Sequence, residues 1–232
     1  MICEKSVRYL IIFLTGCKVT ATLPKDSHIL LFFSHILPNF VAMNILKRYI
    51  VWLRRMSHSR GFGVQSPSAY RFIRYVLCEH YPYYGYDELR HKHPSLPWLV
   101  RKRMELYFRI ANYRQASRML SNGTDTPLLA SYVGRACQRT RVDDRQDADI
   151  DTVEIARVCA VDGCEAYVEH LLSHTDSHTI LIVEDIAQNP MAQRIWQGLL
   201  HNPKVSVCYD LYWAGVAFFD TDRFKTCYIV NF

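Results

Sequence analysis

The sequence predicts an α/β protein: a Rossmann-like, mostly parallel sheet with antiparallel C-terminal edge strands, carrying an N-terminal helical cap. Three observations predict it. Helical spacing of apolar residues dominates as far as Tyr113. From Ala116 onward, short apolar runs alternate with helical patterns, the order that builds βαβ units. The run Ile180-Leu181-Ile182-Val183 is continuously apolar, as in a strand covered on both faces. Composition agrees, since 232 residues at 50% hydrophobic and 22% charged can bury a real core and exclude intrinsic disorder.

Ile45, Tyr49, Trp52, Leu53 and Met56 recur at helical spacing and predict a helix over 45–56, with Lys47, Arg48, Arg54 and Arg55 on its wet side. In Gly61-Phe62-Gly63-Val64-Gln65-Ser66-Pro67 the glycines permit a tight turn. Ser66 is a ready N-cap there, and Pro67 suits a first helical position. A helix over 67–79 follows, then the aromatic connector 81–86. Asp87 begins a short helix that Pro94 and Pro97 end, and 98–113 is a further helix.

Residues 116–121 read as a strand, 122–125 as a loop and 126–137 as a helix with Pro127 near its start. Strand, glycine loop and helix together place a helix N-terminus and free N–H groups beside a ligand. Gly123 is a single glycine where a nucleotide fingerprint wants two or three. The acid-rich stretch 139–151 reads as a solvated loop. Beyond it come a strand over 153–161 ending in Asp162-Gly163, a helix over 165–174, and a strand over 179–183 ending in Glu184-Asp185. A helix over 190–201 and a strand over 205–209 follow. The runs 213–219 and 227–230, separated by Asp220-Thr221-Asp222-Arg223, read as a hairpin.

The net charge of +6 conceals a split. Residues 43–118 hold 15 Lys and Arg against 4 Asp and Glu, and residues 119–232 hold 9 against 16. Such polarity suits halves that attract each other, or partners of opposite sign, and its plainest reading is solvated helix faces. No stretch interleaves aromatic and basic residues as nucleic-acid readers do, so a nucleic-acid partner is not expected. The eight cysteines include no CxxC pair, which excludes zinc-ribbon and thioredoxin-like readings. Cys208 and Cys227 sit in apolar runs as small hydrophobes, and a reduced, cytoplasmic setting is expected. His170, His174 and His178 are spaced by four, read as solvent-facing rather than metal-binding, and no metal is expected. No G-x-S-x-G elbow or Walker loop occurs, so hydrolase and P-loop chemistry are dismissed. Glu184-Asp185 ends a central strand, where open α/β sheets place ligands; the plainer alternative is a turn with Asp185 as a cap.

Residues 1–42 stand apart. Lys5 and Arg8 precede a short apolar run and Thr15-Gly16-Cys17, which looks like a lipoprotein signal with Cys17 as its lipid anchor. A second apolar patch, broken by His35 and Pro38, falls short of the about 20 residues a bilayer span needs. The amphipathic pattern opens at Met43, which favours Met43 as the true start and 1–42 as a spurious or disordered extension. That leaves 43–115 as a helical cap and 116–232 as the sheet domain.

Two groups of residues carry a resemblance. One is Gly61-Phe62-Gly63-Val64-Gln65-Ser66-Pro67 with Tyr83-Tyr84. The other is Val183-Glu184-Asp185-Ile186, Trp196, Asp210-Leu211-Tyr212, Gly215-Val216-Ala217-Phe218-Phe219 and Ile229-Val230-Asn231-Phe232. Together they resemble a bacterial class I S-adenosylmethionine-dependent methyltransferase family whose members carry a helical cap with a G-H-G-V-H-S-P-type motif. The resemblance implies S-adenosylmethionine as cofactor and a small-molecule acceptor. It also implies a glycine loop after the first strand for the cofactor's amino-acid part and an acidic residue ending the second strand for its ribose. Carried over, it makes Ser121, Asn122, Gly123, Thr124 and Asp162 the candidate cofactor residues, with no catalytic residue assigned.

The sequence departs from that family in the loop, Ser121-Asn122-Gly123-Thr124-Asp125, which lacks the leading acid and the second glycine. Only 38 residues separate Gly123 from Asp162, where the family needs two more strand–helix units, so strands two and three are expected to be largely gone. Asp143 or Asp144 would stand about 20 residues past the glycine, but neither ends a convincing strand. Two functions follow: a degenerate methyltransferase-like protein, or a non-catalytic binding or scaffold protein that uses its basic cap.

Overall fold

A computed structural model describes residues 40–79, 81, 83–143 and 151–232. Cys17 and residues 1–39 of the expected extension lie outside the described residues, as does Asp144. The chain divides into two compact units, Met1–Arg48 and Tyr49–Phe232. The helices are α1 (Phe40–Arg54), α2 (Pro67–Phe72), α3 (Tyr84–Lys92), α4 (Trp98–Arg114), α5 (Thr126–Ala136), α6 (Cys164–Ser173) and α7 (Pro190–His201). The strands are β1 (Arg118–Ser121), β2 (Arg141–Asp143), β3 (Val153–Val158), β4 (Thr175–Glu184), β5 (Val207–Asp210), β6 (Ala214–Phe218) and β7 (Thr226–Ile229).

The strands form one sheet in the order β2-β1-β3-β4-β6-β5-β7, Rossmann-like and mostly parallel, with β6 antiparallel to both of its neighbours. Side chains alternate across it. Ile155, Ile180, Ile182, Tyr209 and Val216 face one core, shared with α2, α4 and α5 through Phe72, Tyr107, Ile110, Leu129 and Tyr132. Ala156, Leu181, Val183 and Ala217 face the other, shared with α6 and α7 through Leu171, Ile195, Trp196 and Leu199. Helical residues between Tyr49 and Arg114 thus form one layer of a three-layer unit, and burial of β4 on both faces explains its apolar run.

Local chemistry sets the boundaries. Ser66 caps α2 by accepting from Ala69 N at 3.4 Å, with Pro67 first in the helix, as expected. The helix predicted over 67–79 does not continue as one element: a π-turn, Ile73–Leu77, follows α2. The freed carbonyls of Val76 and Leu77 are taken by the buried Arg109 guanidinium at 2.5 and 3.2 Å, which stabilises the wider turn. The helix predicted over 45–56 begins instead at Phe40 and ends at Arg54, with a 3-10 turn, Met56–His58, after it.

Two expectations are corrected. The stretch 139–151 is not wholly loop, because Arg141–Asp143 pairs parallel with β1 as β2, and Asp143 ends a strand after all. A second strand of three residues is therefore present, against the expectation; among the described residues there is no further strand between it and β3. The runs 213–219 and 227–230 are not a hairpin. β6 inserts between β4 and β5, and the chain then crosses β5 so that β7 pairs parallel on its outer side. Burial explains the choice: β6 is buried along almost all its length and suits an interior slot, whereas β7 alternates between half-buried and exposed residues and suits an edge.

The last residues dock on the helical layer. Arg55 donates to the Asp210 and Val230 carbonyls at 2.9 and 3.1 Å and to Asp210 Oδ1 at 2.7 Å. Asn231 donates through its amide to Trp52 O and Ser59 Oγ, and its backbone N–H reaches His58 O. The segment 52–59 and the C-terminal Val230-Asn231 are therefore tied together. An Arg55→Met chain is expected to lose about 2–3 kcal/mol in urea denaturation, because charged hydrogen bonds to half-buried carbonyls go unreplaced. A loss indistinguishable from zero would show that this docking carries no stability.

Candidate functional site

Parallel strands β1 and β3 lie side by side, but from β1 the chain passes through α5 to β2 on the far side. The order of the sheet reverses there, and the crevice beyond the carboxyl ends of β1 and β3 is where such sheets bind ligands. Ser121, Asn122 and Gly123 sit at that position, all buried, with Arg157 and Val158 at the end of β3 and Cys159 just after it opposite them. Three of the five expected cofactor residues are thus brought together. Thr124 is exposed beside them, whereas Asp162 is exposed in the turn entering α6 and takes no part in the arrangement.

The strand ends are held closed. The Asn122 side chain donates to Cys159 O at 2.9 Å and accepts from Cys159 N at 2.7 Å, extending the β1–β3 pairing by one amide. The Gly123 N–H donates to Ser121 Oγ at 3.2 Å. A Cβ placed on Gly123 would lie 2.9 Å from Asp125 Oδ1, 3.0 Å from Cys159 Sγ and 3.2 Å from Arg157 Cζ, so side chains of the protein itself fill the space before the glycine.

Arg157 is the centre of that filling. It grips Asp125 with two hydrogen bonds, at 2.6 and 3.0 Å, and reaches Glu184 Oε1 at 2.7 Å through Nε. Asp125 stands at the N-cap of α5 but makes no capping bond with its side chain. Glu184, at the end of β4, also accepts from Tyr107 Oη and from Arg103 Nη1, the latter at 3.0 Å. Arg103 and Tyr107 come from one face of α4, spaced by four residues. Arg103 extends to Asp185 and to the Trp213 carbonyl at 3.0 Å. Asp185 itself adopts φ +58°, a left-handed conformation that aspartate tolerates better than most residues.

The electrostatics keep each group in one state. Burial, and then the Glu184 carboxylate, push the Tyr107 phenol far above its usual range, so it stays protonated and donates. Burial pulls the Arg157 guanidinium down, but Tyr107, Glu184 and Asp125 outweigh it and the net shift is upward. Arg103 behaves alike: burial lowers its pKa, and Glu184 and Asp185 more than restore it. Burial and the Glu184 charge push the Cys159 thiol up to about 12, so it is no nucleophile at neutral pH. Among the fully buried side-chain nitrogen and oxygen atoms of this network, Arg103 Nε is the one without a hydrogen-bond partner.

Measured against the group the resemblance implies, these residues do not fit S-adenosylmethionine. The Gly123 N–H and the Asn122 amide are already bonded, and Arg157 with Asp125 stands before the glycine. One feature matches: Asp143 ends β2, and its carboxylate accepts from Arg118 Nε at 2.7 Å.

Sequence reasoning placed Ser121–Gly123 and Glu184-Asp185 at strand ends and missed Asp125, Arg157, Arg103 and Tyr107. The signal available for Arg157 was weak, an arginine within the otherwise apolar run Ile155–Val158. The histidines do not share an element: His170 and His174 rings lie 4.8 Å apart at the end of α6, while His178 lies in β4. Among the described residues no group of histidine, cysteine or carboxylate side chains could hold a metal ion, and no helix is long and apolar enough to cross a membrane. No family model matches the sequence, and no curated protein matches it.

Proposed function

We propose that this chain is a class I methyltransferase-like protein whose S-adenosylmethionine site is degenerate, and that it works as a non-catalytic binding protein through its basic helical layer. The observation that carries this reading is Arg157, which occupies the switch-point crevice and holds the Asp125 carboxylate at the start of α5. A crevice filled by a matched ion pair offers no cost-free vacancy to a sulfonium nucleoside, since entry would leave buried charges unpaired. On the helical layer Arg54, Arg60 and Arg71 remain exposed, a surface suited to an acidic partner.

The test is calorimetric titration and thermal melting with S-adenosylmethionine at millimolar concentration. Ligand at about 100 times its Kd stabilises a folded protein by about 2.7 kcal/mol, so a binder in the micromolar range would be plainly seen. The expected result is no heat and no shift. A second reading, retained cofactor binding, is favoured by Asp143 at the end of β2. A saturable heat with a raised melting temperature would establish it and overturn the first.

A further inference from the structure

Cys208 on β5 and Cys227 on β7 are direct register partners in a parallel pair. Neighbouring strands lie about 4.8 Å apart, inside the about 4.4–6.8 Å of Cα separation that a disulfide spans. Paired residues project to the same face. The next pair, Tyr209 and Tyr228, stacks its rings 5.7 Å apart on the opposite face, which fixes both cysteines on the other side of the sheet. Both thiols are free; Cys208 is buried and Cys227 is exposed on the edge strand.

We propose that Cys208 and Cys227 form a reversible disulfide site, closed by thiol–disulfide exchange with glutathione disulfide. The Cys227 thiolate attacks one sulfur of glutathione disulfide, whose S–S bond breaks and releases one glutathione thiolate. Cys208 then gives up its proton to that thiolate and attacks the Cys227 sulfur, expelling the second glutathione. Two protein thiols are oxidised to one disulfide, and one glutathione disulfide is reduced to two glutathiones. A hydrogen bond from Cys208, opposed by burial, lowers the Cys227 pKa, and the thiolate is the attacking species. In a reducing compartment the bond would be transient, as such bonds usually are there. Closed, it ties the edge strand to β5 just before the residues that dock on the helical layer.

The test uses the full chain with glutathione disulfide, followed by alkylation and tryptic digestion without reductant. Cleavage after Lys204, Arg223 and Lys225 leaves the two cysteines on separate peptides, 205–223 and 226–232. The expected product is these peptides joined, with both free thiols lost and both recovered on treatment with dithiothreitol. Cys208→Ser is expected to stop at a glutathione adduct on Cys227, and Cys227→Ser to leave Cys208 unmodified. Two results would overturn the proposal. One is wild-type chain carrying glutathione on Cys227 with no joined peptides; the other is joining that proceeds only after unfolding in urea.

Discussion

A Glu184→Ala chain is expected to be destabilised by about 3–5 kcal/mol, the range seen when one partner of a buried ion pair is removed. The cause is specific to this position. Among the described residues Glu184 is the only carboxylate that both Arg103 and Arg157 reach, through different oxygens, and the side chains of all three are at most 10% exposed. Removing it leaves two guanidiniums in the interior, with Asp125 and Asp185 only at the partly exposed rim. Tyr107 simultaneously loses the acceptor for a phenol buried beneath the network. For a chain of this size such a loss lowers the melting temperature by about 6–20 °C. Glu184→Gln keeps an acceptor but not the charge and should fall between wild type and alanine. Urea denaturation measures both, and a loss below about 1 kcal/mol for alanine would mean the network relaxes into solvent and does not fill the crevice.

The same residues show why the fold was legible and the site only half so. A strand segment buried on both faces, such as Ile180–Val183 of β4, must be apolar, and that requirement is written in the local sequence. The α7 start is equally local: Asn189 caps Met191 N and Ala192 N, with Pro190 first in the helix. Strand β2 was not legible because Arg141-Val142-Asp143 is exposed or half-buried and has one apolar residue; pairing with β1 creates it. The supposed hairpin failed for a related reason, since a turn of Asp220–Arg223 looks the same whether the chain folds back or crosses a neighbour. At the site, glycine and strand-end position located Ser121–Gly123. Arg157, Arg103 and Tyr107 gave no comparable signal, because a buried charge is distinguished from a solvated one only by partners far away in sequence. Cys208 and Cys227 illustrate the same limit: each was readable as a small hydrophobe, and only the register makes them a pair.

Gly215→Ala is expected to cost about 3 kcal/mol, at the upper end of what overpacking a close-packed core does. A Cβ there would lie 2.5 Å from Trp196 Cε3 and Cζ3 and 2.7 Å from Cη2, closer than real contacts allow. Neither side yields easily. Gly215 lies in β6, pairing with Val183 on one side and Asp210 on the other, so its backbone is pinned within the sheet. Trp196 is 3% exposed and sits with Ile195 and Leu199 on the face α7 buries. Glycine is required at this position by the approach of an indole, not by backbone conformation. Trp196→Ala alone should cost about 3–5 kcal/mol as a cavity forms. In the double variant the methyl group enters that cavity, so the combined loss should fall short of the sum by about 0.5–3 kcal/mol. Strict additivity in a urea-denaturation cycle would show that the glycine and the tryptophan are not a coupled pair.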